Sequence, residues 1–286
     1  MLLSALIDAR PPRRHPDLAP VLTALATAAA ETAAMIAAMP AGIAAMPAGA
    51  PGDPAAAARR IFAAALREAE VAAIAWDDGA APEPRMPGAS LVLALCPLEG
   101  ADDLESGMPA GTLFSLRPAG SDPRAAFLGS GRSQVAAGFV TYGPRTLLTL
   151  TDGTATTTRV LDPETGAFRP PAPLRVPQAG PRPAAEAARL SLAAAAQGVL
   201  VRGGLHRRRD AGEVRLVHAA APVALAIEAA GGGATDGRGR AILDIPATAL
   251  HQGTALAFGS ARDVASLARL DADRSPLFAT RGLLRT

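Results

Sequence analysis

The chain has 286 residues, of which 49% are hydrophobic, 19% charged and 3% aromatic, and its formal net charge is +2. The hydrophobic share excludes a disordered chain, and the single cysteine, Cys96, excludes a disulfide framework or a thiolate zinc site. Balanced charge and few aromatic residues argue against a nucleic-acid-binding protein. Glu31, Pro40 and Pro47 interrupt the longest apolar stretch, which argues against a membrane span. The sequence therefore favours a cytoplasmic protein.

The chain opens with an alanine-rich segment. Residues 18–39 carry their larger apolar groups at near-helical spacing and predict a helix. The heptapeptide IAAMPAG then occurs twice, at 36–42 and 43–49. Each copy contains proline, so the repeat predicts a loop rather than a coiled coil.

A second helix and a series of strands follow. Asp53 before Pro54 is typical of a helix start, and this helix is expected to run to about Glu70. Alternating and continuous apolar runs then predict strands at 71–76, 90–98, 111–118, 134–143, 145–153 and 158–162.

A proline-rich stretch at 163–184 gives the best domain boundary. We divide the chain into an N-terminal tail (1–17), an α+β domain with a predicted metal-site segment (18–168), a proline-rich linker (169–184) and a C-terminal α/β domain (185–286).

The C-terminal part predicts alternating helices and strands, which is typical of a layered α/β architecture. The predicted helices are 184–197, 222–230, closed by the glycines 231–233, and 261–270, starting at Ser260. The predicted strands are 199–205, 213–218, 241–247 and 254–260.

Three separated blocks, in this order and spacing, resemble class I fructose-1,6-bisphosphatase over roughly residues 18–270. The blocks are CPLEGADDLE (96–105) with GTLFS (111–115); VAAGFVTYGP (135–144) with LDP (161–163) and GAF (166–168); and GEVRLV (212–217) through EAAGG (228–232), ILD (242–244) and HQ (251–252) to GS (259–260).

The resemblance implies a layered α-β-α-β-α sugar-phosphatase fold of mixed α+β and α/β class, in a shortened form. It also implies a homotetramer and Mg²⁺-dependent hydrolysis of the 1-phosphate of fructose 1,6-bisphosphate, in gluconeogenesis or the Calvin cycle. The expected partner is a sugar phosphate, with no nucleic acid and no membrane.

The same resemblance assigns roles to individual residues. Asp77 and Asp78 stand where the family has a Glu-Glu pair, which implies a metal ligand at Asp77 and a catalytic, water-activating carboxylate at Asp78. From the residues alone, the pair reads as the acids of a turn before Gly79. Glu99 and the backbone carbonyl of Leu98 are the other implied metal ligands.

Phosphate and substrate contacts are implied at Gly100, Ala101 and Arg215. Asp102 and Asp103 replace polar residues of the family's phosphate-binding turn, and each adds on the order of 3 kcal/mol of repulsion per unit phosphate charge at about 5 Å. The alternative is that both acids simply begin a helix, where negative charge is favoured.

Further family positions are changed. Cys96 replaces an aspartate ligand, Ala219 a glutamate ligand, His218 a tyrosine and Glu213 a lysine. A thiol is a poor ligand for Mg²⁺, which prefers oxygen donors, and a buried cysteine is more often a small hydrophobic residue. The arginine-rich segment 206–209 is either an anion site or a solvated loop.

Two hypotheses remain open. One is an active phosphatase that depends on Asp77, Asp78, Glu99 and Arg215. The other is an inactive paralogue that keeps the fold and serves as a structural or regulatory partner of an intact sister enzyme.

Overall fold

A computed structural model describes residues 17–39, 52–179, 190–209, 212 and 214–273. Most of the heptapeptide repeat, residues 1–16 of the predicted tail and Glu213 lie outside these residues. Within them, one sheet of eight strands dominates, in the order β2-β1-β3-β4-β5-β6-β7-β8. The β1–β3 pair is parallel and the other pairs are antiparallel. The strands are β1 (Ala73–Trp76), β2 (Glu83–Pro84), β3 (Leu91–Glu99), β4 (Ala110–Pro118), β5 (Ala136–Tyr142), β6 (Leu147–Thr151), β7 (Thr156–Val160) and β8 (Ala172–Leu174).

Two helices, α1 (Ala19–Ala37) and α2 (Pro54–Ala65), cover one face of this sheet. As predicted, Asp53 caps α2: its carboxylate accepts a hydrogen bond from the backbone N–H of Ala55 at 2.9 Å. The alternation of β3 divides its apolar side chains between two cores. Leu91, Leu93 and Leu95 face the two helices, and the residues between them face the other side.

The opposite face packs against α3 (Leu192–Arg202) and α4 (Ala221–Ala229). Beyond these helices lies a three-stranded antiparallel sheet of β11 (Gly232–Thr235), β13 (Leu256–Ser260) and β9 (Leu205–Arg208). The last helix, α5 (Ala261–Asp273), packs on it. The short strands β10 (Val214–Arg215) and β12 (Gly253–Thr254) pair with each other. The order of layers is therefore α-β-α-β-α, and the predicted fold is confirmed.

Several predicted elements are wrong in detail. The helix expected to reach Glu70 ends at Ala65. Most of the strand predicted at 199–205 belongs to the end of α3, because a short apolar run fits a strand or a buried helix equally well. The strand predicted at 213–218 stops at Arg215 and becomes a π-helix (Leu216–Ala220) that continues into α4.

Three further segments differ from the prediction. The predicted strand 241–247 contains a 3-10 helix (Ile242–Asp244). Only Gly231, with φ +83°, closes α4, because the next residues form β11. The proline-rich stretch 169–184 contains β8, an edge strand where proline is tolerated.

In the part of the chain that the structure describes, one helix, α1, is long and apolar enough to cross a bilayer, judged by length and composition only, with a mean hydropathy of 1.4. Its buried side chains Val21 and Leu25 share a core with Phe62 of α2. Within this fold, α1 therefore forms part of the outer helical layer.

Arg117 in β4 is only 1% exposed, and no ion pair with a carboxylate is found for it among the described residues. Its guanidinium donates hydrogen bonds to the Ser130 carbonyl at 3.3 Å and the Ser133 hydroxyl at 3.1 Å, and Nε has no partner. Burial lowers its pKa to about 10. Because a buried charge without a counter-charge is costly, we expect Arg117→Met to raise the free energy of unfolding by about 1–3 kcal/mol.

Urea unfolding at pH 7.5 measures this effect, and Arg117→Lys is the matched control. Lysine keeps the buried charge, so this variant should show no gain. A loss of stability in Arg117→Met would mean that the two hydrogen bonds outweigh the cost of burying the charge.

Candidate active site

Six of the predicted site residues meet at one small pocket of about 150 Å³. The pocket lies where several elements converge: the ends of β1 and β3, the start of α3, the strands β9 and β10, and the π-helix. The pocket is lined by Asp77, Cys96, Glu99, Leu113, Leu192, Arg208, Val214, Arg215, His218 and Ala219.

Asp77 and Cys96 interact directly in this pocket. Asp77 follows β1, and the parallel pairing of β1 with β3 brings it beside Cys96. Burial raises the pKa of the Asp77 carboxyl, and a hydrogen bond from the Cys96 thiol opposes the shift. Burial also raises the pKa of the thiol well above its ordinary value, as does the negative charge of Asp77. The thiol is therefore neutral and donates a hydrogen bond to the Asp77 carboxylate. This hydrogen bond occupies part of the carboxylate that would otherwise be free to accept from another group.

The Glu99 carboxylate is bound to the N-terminus of α3. Its two oxygens accept from the backbone N–H of Leu192 at 2.7 and 2.8 Å, and one of them also accepts from Ala193 at 3.3 Å. Burial raises the pKa of Glu99, and these N–H groups and the nearby Arg208 oppose the shift. The first N–H groups of a helix have no partner within the helix, so Glu99 acts here as a helix cap.

Two histidines lie behind the pocket. The ring of His218, on the π-helix, stacks on that of His251 with centroids 5.5 Å apart. All four ring nitrogens are buried, and the His218 ring forms hydrogen bonds with the backbone of Ala75 and Trp76. Burial and the neighbouring His251 lower the pKa of His218 to about 4. Arg215 donates to the His251 carbonyl at 2.6 Å and so links the pocket wall to this pair.

Other predicted residues lie away from the pocket. Asp78 is exposed and forms an ion pair with Arg59, whose guanidinium lies 4.4 Å over the ring of Trp76. Leu98 is buried in the core on the α1 side of the sheet. The predicted water-activating residue is thus outside the pocket that Asp77 lines, although its negative charge contributes to the raised pKa of Asp77.

The predicted phosphate-binding turn forms, with Gly100 in the left-handed region at φ +77°. Ala101, Asp102 and Asp103 follow in a 3-10 helix (Ala101–Ser106), where both acids are exposed in the first turn. This placement agrees with the interpretation of the acids as residues that begin a helix.

A larger cleft of about 850 Å³ shares no residue with this pocket. Alanines of the C-terminal half of α1 form one wall, and Tyr142, Arg145, Asp162 and Arg169 are among the residues of the other. None of the predicted site residues lines this cleft.

Sequence reasoning assigned no site role to His251, and it left Arg208 in the segment 206–209 that was either an anion site or a solvated loop. Arg208 lies on β9, where strand alternation puts its side chain on the same face as that of buried His206, two residues earlier. His251 reaches the site through the long-range pairing of β10 with β12, which no local pattern indicates.

The α-β-α-β-α order of layers is that of the sugar-phosphatase fold. The family model described as Fructose-1-6-bisphosphatase, N-terminal domain, matches residues 57–171, and the model of the C-terminal domain of the same family matches residues 189–272.

Curated relatives agree with this match. A fructose-1,6-bisphosphatase class 1 from Methylobacterium sp. (strain 4-46) is 45% identical, over 78% of this chain and 82% of the relative. One from Acidiphilium cryptum is 36% identical, over 78% and 77%. The chain belongs to the class 1 fructose-1,6-bisphosphatase family, a family of carbohydrate metabolism whose members are generally metal-dependent.

The fold is also that of a solved structure, Leishmania major fructose-1,6-bisphosphatase in holo form. The two superpose with a TM-score of 0.80 over 94% of this chain and 97% of that chain, at 22% identity. At this identity the comparison supports the fold alone.

The residues of the pocket do not fit a Mg²⁺ ion, which is held by several oxygen donors in near-octahedral geometry. Cys96 offers a protonated thiol, Ala219 offers no side-chain donor, and both Glu99 oxygens are bound to backbone N–H groups. Among the residues described by the structure, no three His, Cys, Asp or Glu side chains form a group that could hold a metal ion. We therefore derive no chemical step through a metal.

Proposed function

We propose that this chain is a non-hydrolytic member of the fructose-1,6-bisphosphatase family. The observation that carries the proposal is the state of Glu99, whose carboxylate caps α3 with both oxygens. Metal-assisted phosphate hydrolysis requires ions that activate water and neutralise the developing charge. A pocket in which Asp77 is hydrogen-bonded to a thiol and Glu99 to backbone N–H groups supplies neither.

The size of the pocket supports the same proposal. At about 150 Å³ it is much smaller than ligand pockets, which typically enclose about 300–1,000 Å³. A sugar bisphosphate, with two phosphate groups, needs more room than this pocket offers. Arg208 and Arg215 remain as cationic groups, but Asp77 and Glu99 place opposing charge beside them.

The competing proposal is an active phosphatase, and Asp77 with Arg215 favours it because both still line the pocket. Phosphate release from fructose 1,6-bisphosphate, with millimolar Mg²⁺ or Mn²⁺, separates the two. We expect kcat/KM to be at least about 10⁴-fold below that of the Methylobacterium relative, assayed in parallel.

The matched control is Asp77→Asn, which keeps the shape of the side chain and removes its charge. Equal background rates in the wild type and Asp77→Asn support the proposal. Measurable turnover that the substitution abolishes would falsify it and make Asp77 a functional metal or proton site.

A non-hydrolytic chain of this fold acts through association, and family members tend to form oligomers. We propose an intact enzyme of the same family as the partner, because the two chains share the layered fold. Co-expression of the two chains, with an affinity tag on one, tests this: a mixed oligomer supports the role, and exclusive self-association contradicts it.

A further inference from the structure

The strand β3 contains a β-bulge beside the pocket. Its pairing with β4 shifts by one residue between Cys96 and Glu99. Pro97 and Leu98 therefore lie together opposite a single residue of β4, Thr112. A proline has no N–H to donate to a neighbouring strand, which suits a position where the regular ladder is interrupted.

This bulge decides which face of the sheet Glu99 occupies. Side chains alternate along a regular strand, so residues three positions apart face opposite sides. Cys96 and Glu99 are three positions apart, yet both line the pocket, and Leu98 lies in the core on the α1 side. The extra residue thus brings Glu99 onto the face of Cys96, where its carboxylate reaches the start of α3.

Two buried hydroxyl groups satisfy the bulge from the neighbouring strands. The Thr112 hydroxyl donates to the Pro97 carbonyl at 2.6 Å and lies 2.8 Å from the Tyr142 hydroxyl. A threonine hydroxyl has a single proton. Since the carbonyl accepts that proton, the Tyr142 hydroxyl donates to the Thr112 oxygen. Both side chains are buried, so removing the Thr112 hydroxyl would leave the Pro97 carbonyl without this partner.

We propose that the hydroxyl groups of Thr112 and Tyr142 hold the β-bulge in place and are thereby positioning groups of the pocket. Through the bulge they keep Glu99 at the start of α3 and Cys96 beside Asp77. The inference concerns how the pocket is built and goes beyond the proposed function, so its test does not involve phosphate release.

Two reporters lie on either side of the bulge. Cys96 is the only cysteine of the chain and can be labelled with the thiol reagent DTNB. Hydrogen exchange of the Leu192 N–H follows its hydrogen bond to Glu99. We expect Thr112→Val, which keeps the shape of the side chain, to raise both rates at least about tenfold, because an unpaired buried carbonyl favours local opening of the bulge. Thr112→Ser restores the hydroxyl and should return both rates to within about twofold of the wild type.

The matched control is Thr156→Val. The Thr156 hydroxyl also donates to a buried backbone carbonyl, that of Ala226 at 2.7 Å, and Thr156 does not line the pocket. Its loss should change the two rates only as far as it lowers the free energy of global unfolding. Measuring both rates at several low urea concentrations separates the two cases, because exchange through local opening depends little on urea and exchange through global unfolding depends on it steeply.

Tyr142→Phe is the second variant, in case Thr112→Val does not fold, and it should raise both rates at least about threefold. Folded Thr112→Val and Tyr142→Phe proteins whose rates match those of Thr156→Val at equal global stability would overturn the inference. It would also fail if Thr112→Ser reacted as fast as Thr112→Val, since the hydroxyl would then have no effect.

Discussion

Replacing Gly111 with alanine is expected to lower the free energy of unfolding by about 3 kcal/mol or more. Gly111 lies in β4 directly beneath the first turn of α3. A Cβ at this position would lie 2.3 Å from the Ala193 Cβ and 2.9 Å from the Val140 carbonyl oxygen. Because one obstacle is a helix in the next layer and the other is the backbone of the adjacent strand, neither a rotamer change nor a small shift relieves both contacts. Urea unfolding followed by circular dichroism measures the loss.

The control for this prediction is Gly143→Ala, just beyond the end of β5. Its nearest neighbour would be the Pro109 Cβ at 3.4 Å, which is close to an ordinary contact, so we expect a change below about 1 kcal/mol. Adding Ala193→Gly to Gly111→Ala should restore part of the loss, since it removes the nearer obstacle. A Gly111→Ala protein as stable as the control would show that α3 does not pack as closely on the sheet as described.

The second large effect is a loss of stability in acid that originates from two buried histidines. His206 is 4% exposed and packs on Phe258, with ring centroids 5.1 Å apart. Burial and the nearby Arg208 lower the pKa of His206 to about 4, and burial with the nearby His251 lowers that of His218 to the same value.

Since both pKa values lie below the ordinary value of 6.5, the folded chain binds fewer protons than the unfolded chain. The stabilisation is fully present above pH 6.5 and is lost as the pH falls toward 4. Between pH 7.5 and pH 5, each histidine should lower the free energy of unfolding by about 2 kcal/mol.

Urea unfolding of the wild type, His206→Leu and His218→Phe at pH 7.5 and pH 5 measures this effect. At pH 7.5 each variant should lie within about 1 kcal/mol of the wild type, because each imidazole is buried and neutral at this pH and His206 Nε2 has no hydrogen-bond partner among the described residues. At pH 5 each variant should be more stable than the wild type by about 2 kcal/mol. An unchanged pH dependence in both variants would contradict the assignment of the acid sensitivity to these two residues.

Local sequence patterns predicted most of the elements because each carries its own physical signal. The Asp53 cap, the continuous apolar run of β3 and the helix start at Ser260 are contained within a few residues, and all three appear in the structure. The π-helix after Arg215 could not be predicted in this way. Its apolar residues suit a strand equally well, and its form depends on packing against the ends of β3 and β4.

The sequence predicted part of the set of residues that line the candidate site, and it did not predict their hydrogen bonds. Family order predicted that Asp77, Cys96, Glu99 and Arg215 would converge, and the structure brings them to one pocket. That Glu99 caps α3 depends on where a helix 93 residues later begins, and the sequence carries no local sign of it. The ion pair of Asp78 with Arg59 was equally unpredictable, because it depends on how α2 packs over β1.

Trp76 provides an intrinsic fluorescent probe next to the pocket. It is the single tryptophan of the chain, it is 1% exposed, and it directly precedes Asp77. Its indole N–H donates to Glu83 at 2.8 Å, and the Arg59 guanidinium covers its face. Fluorescence excited at the tryptophan band therefore comes from one position, at the end of the strand that leads into the pocket. The emission of the unmodified protein gives a local signal against which global unfolding curves can be compared.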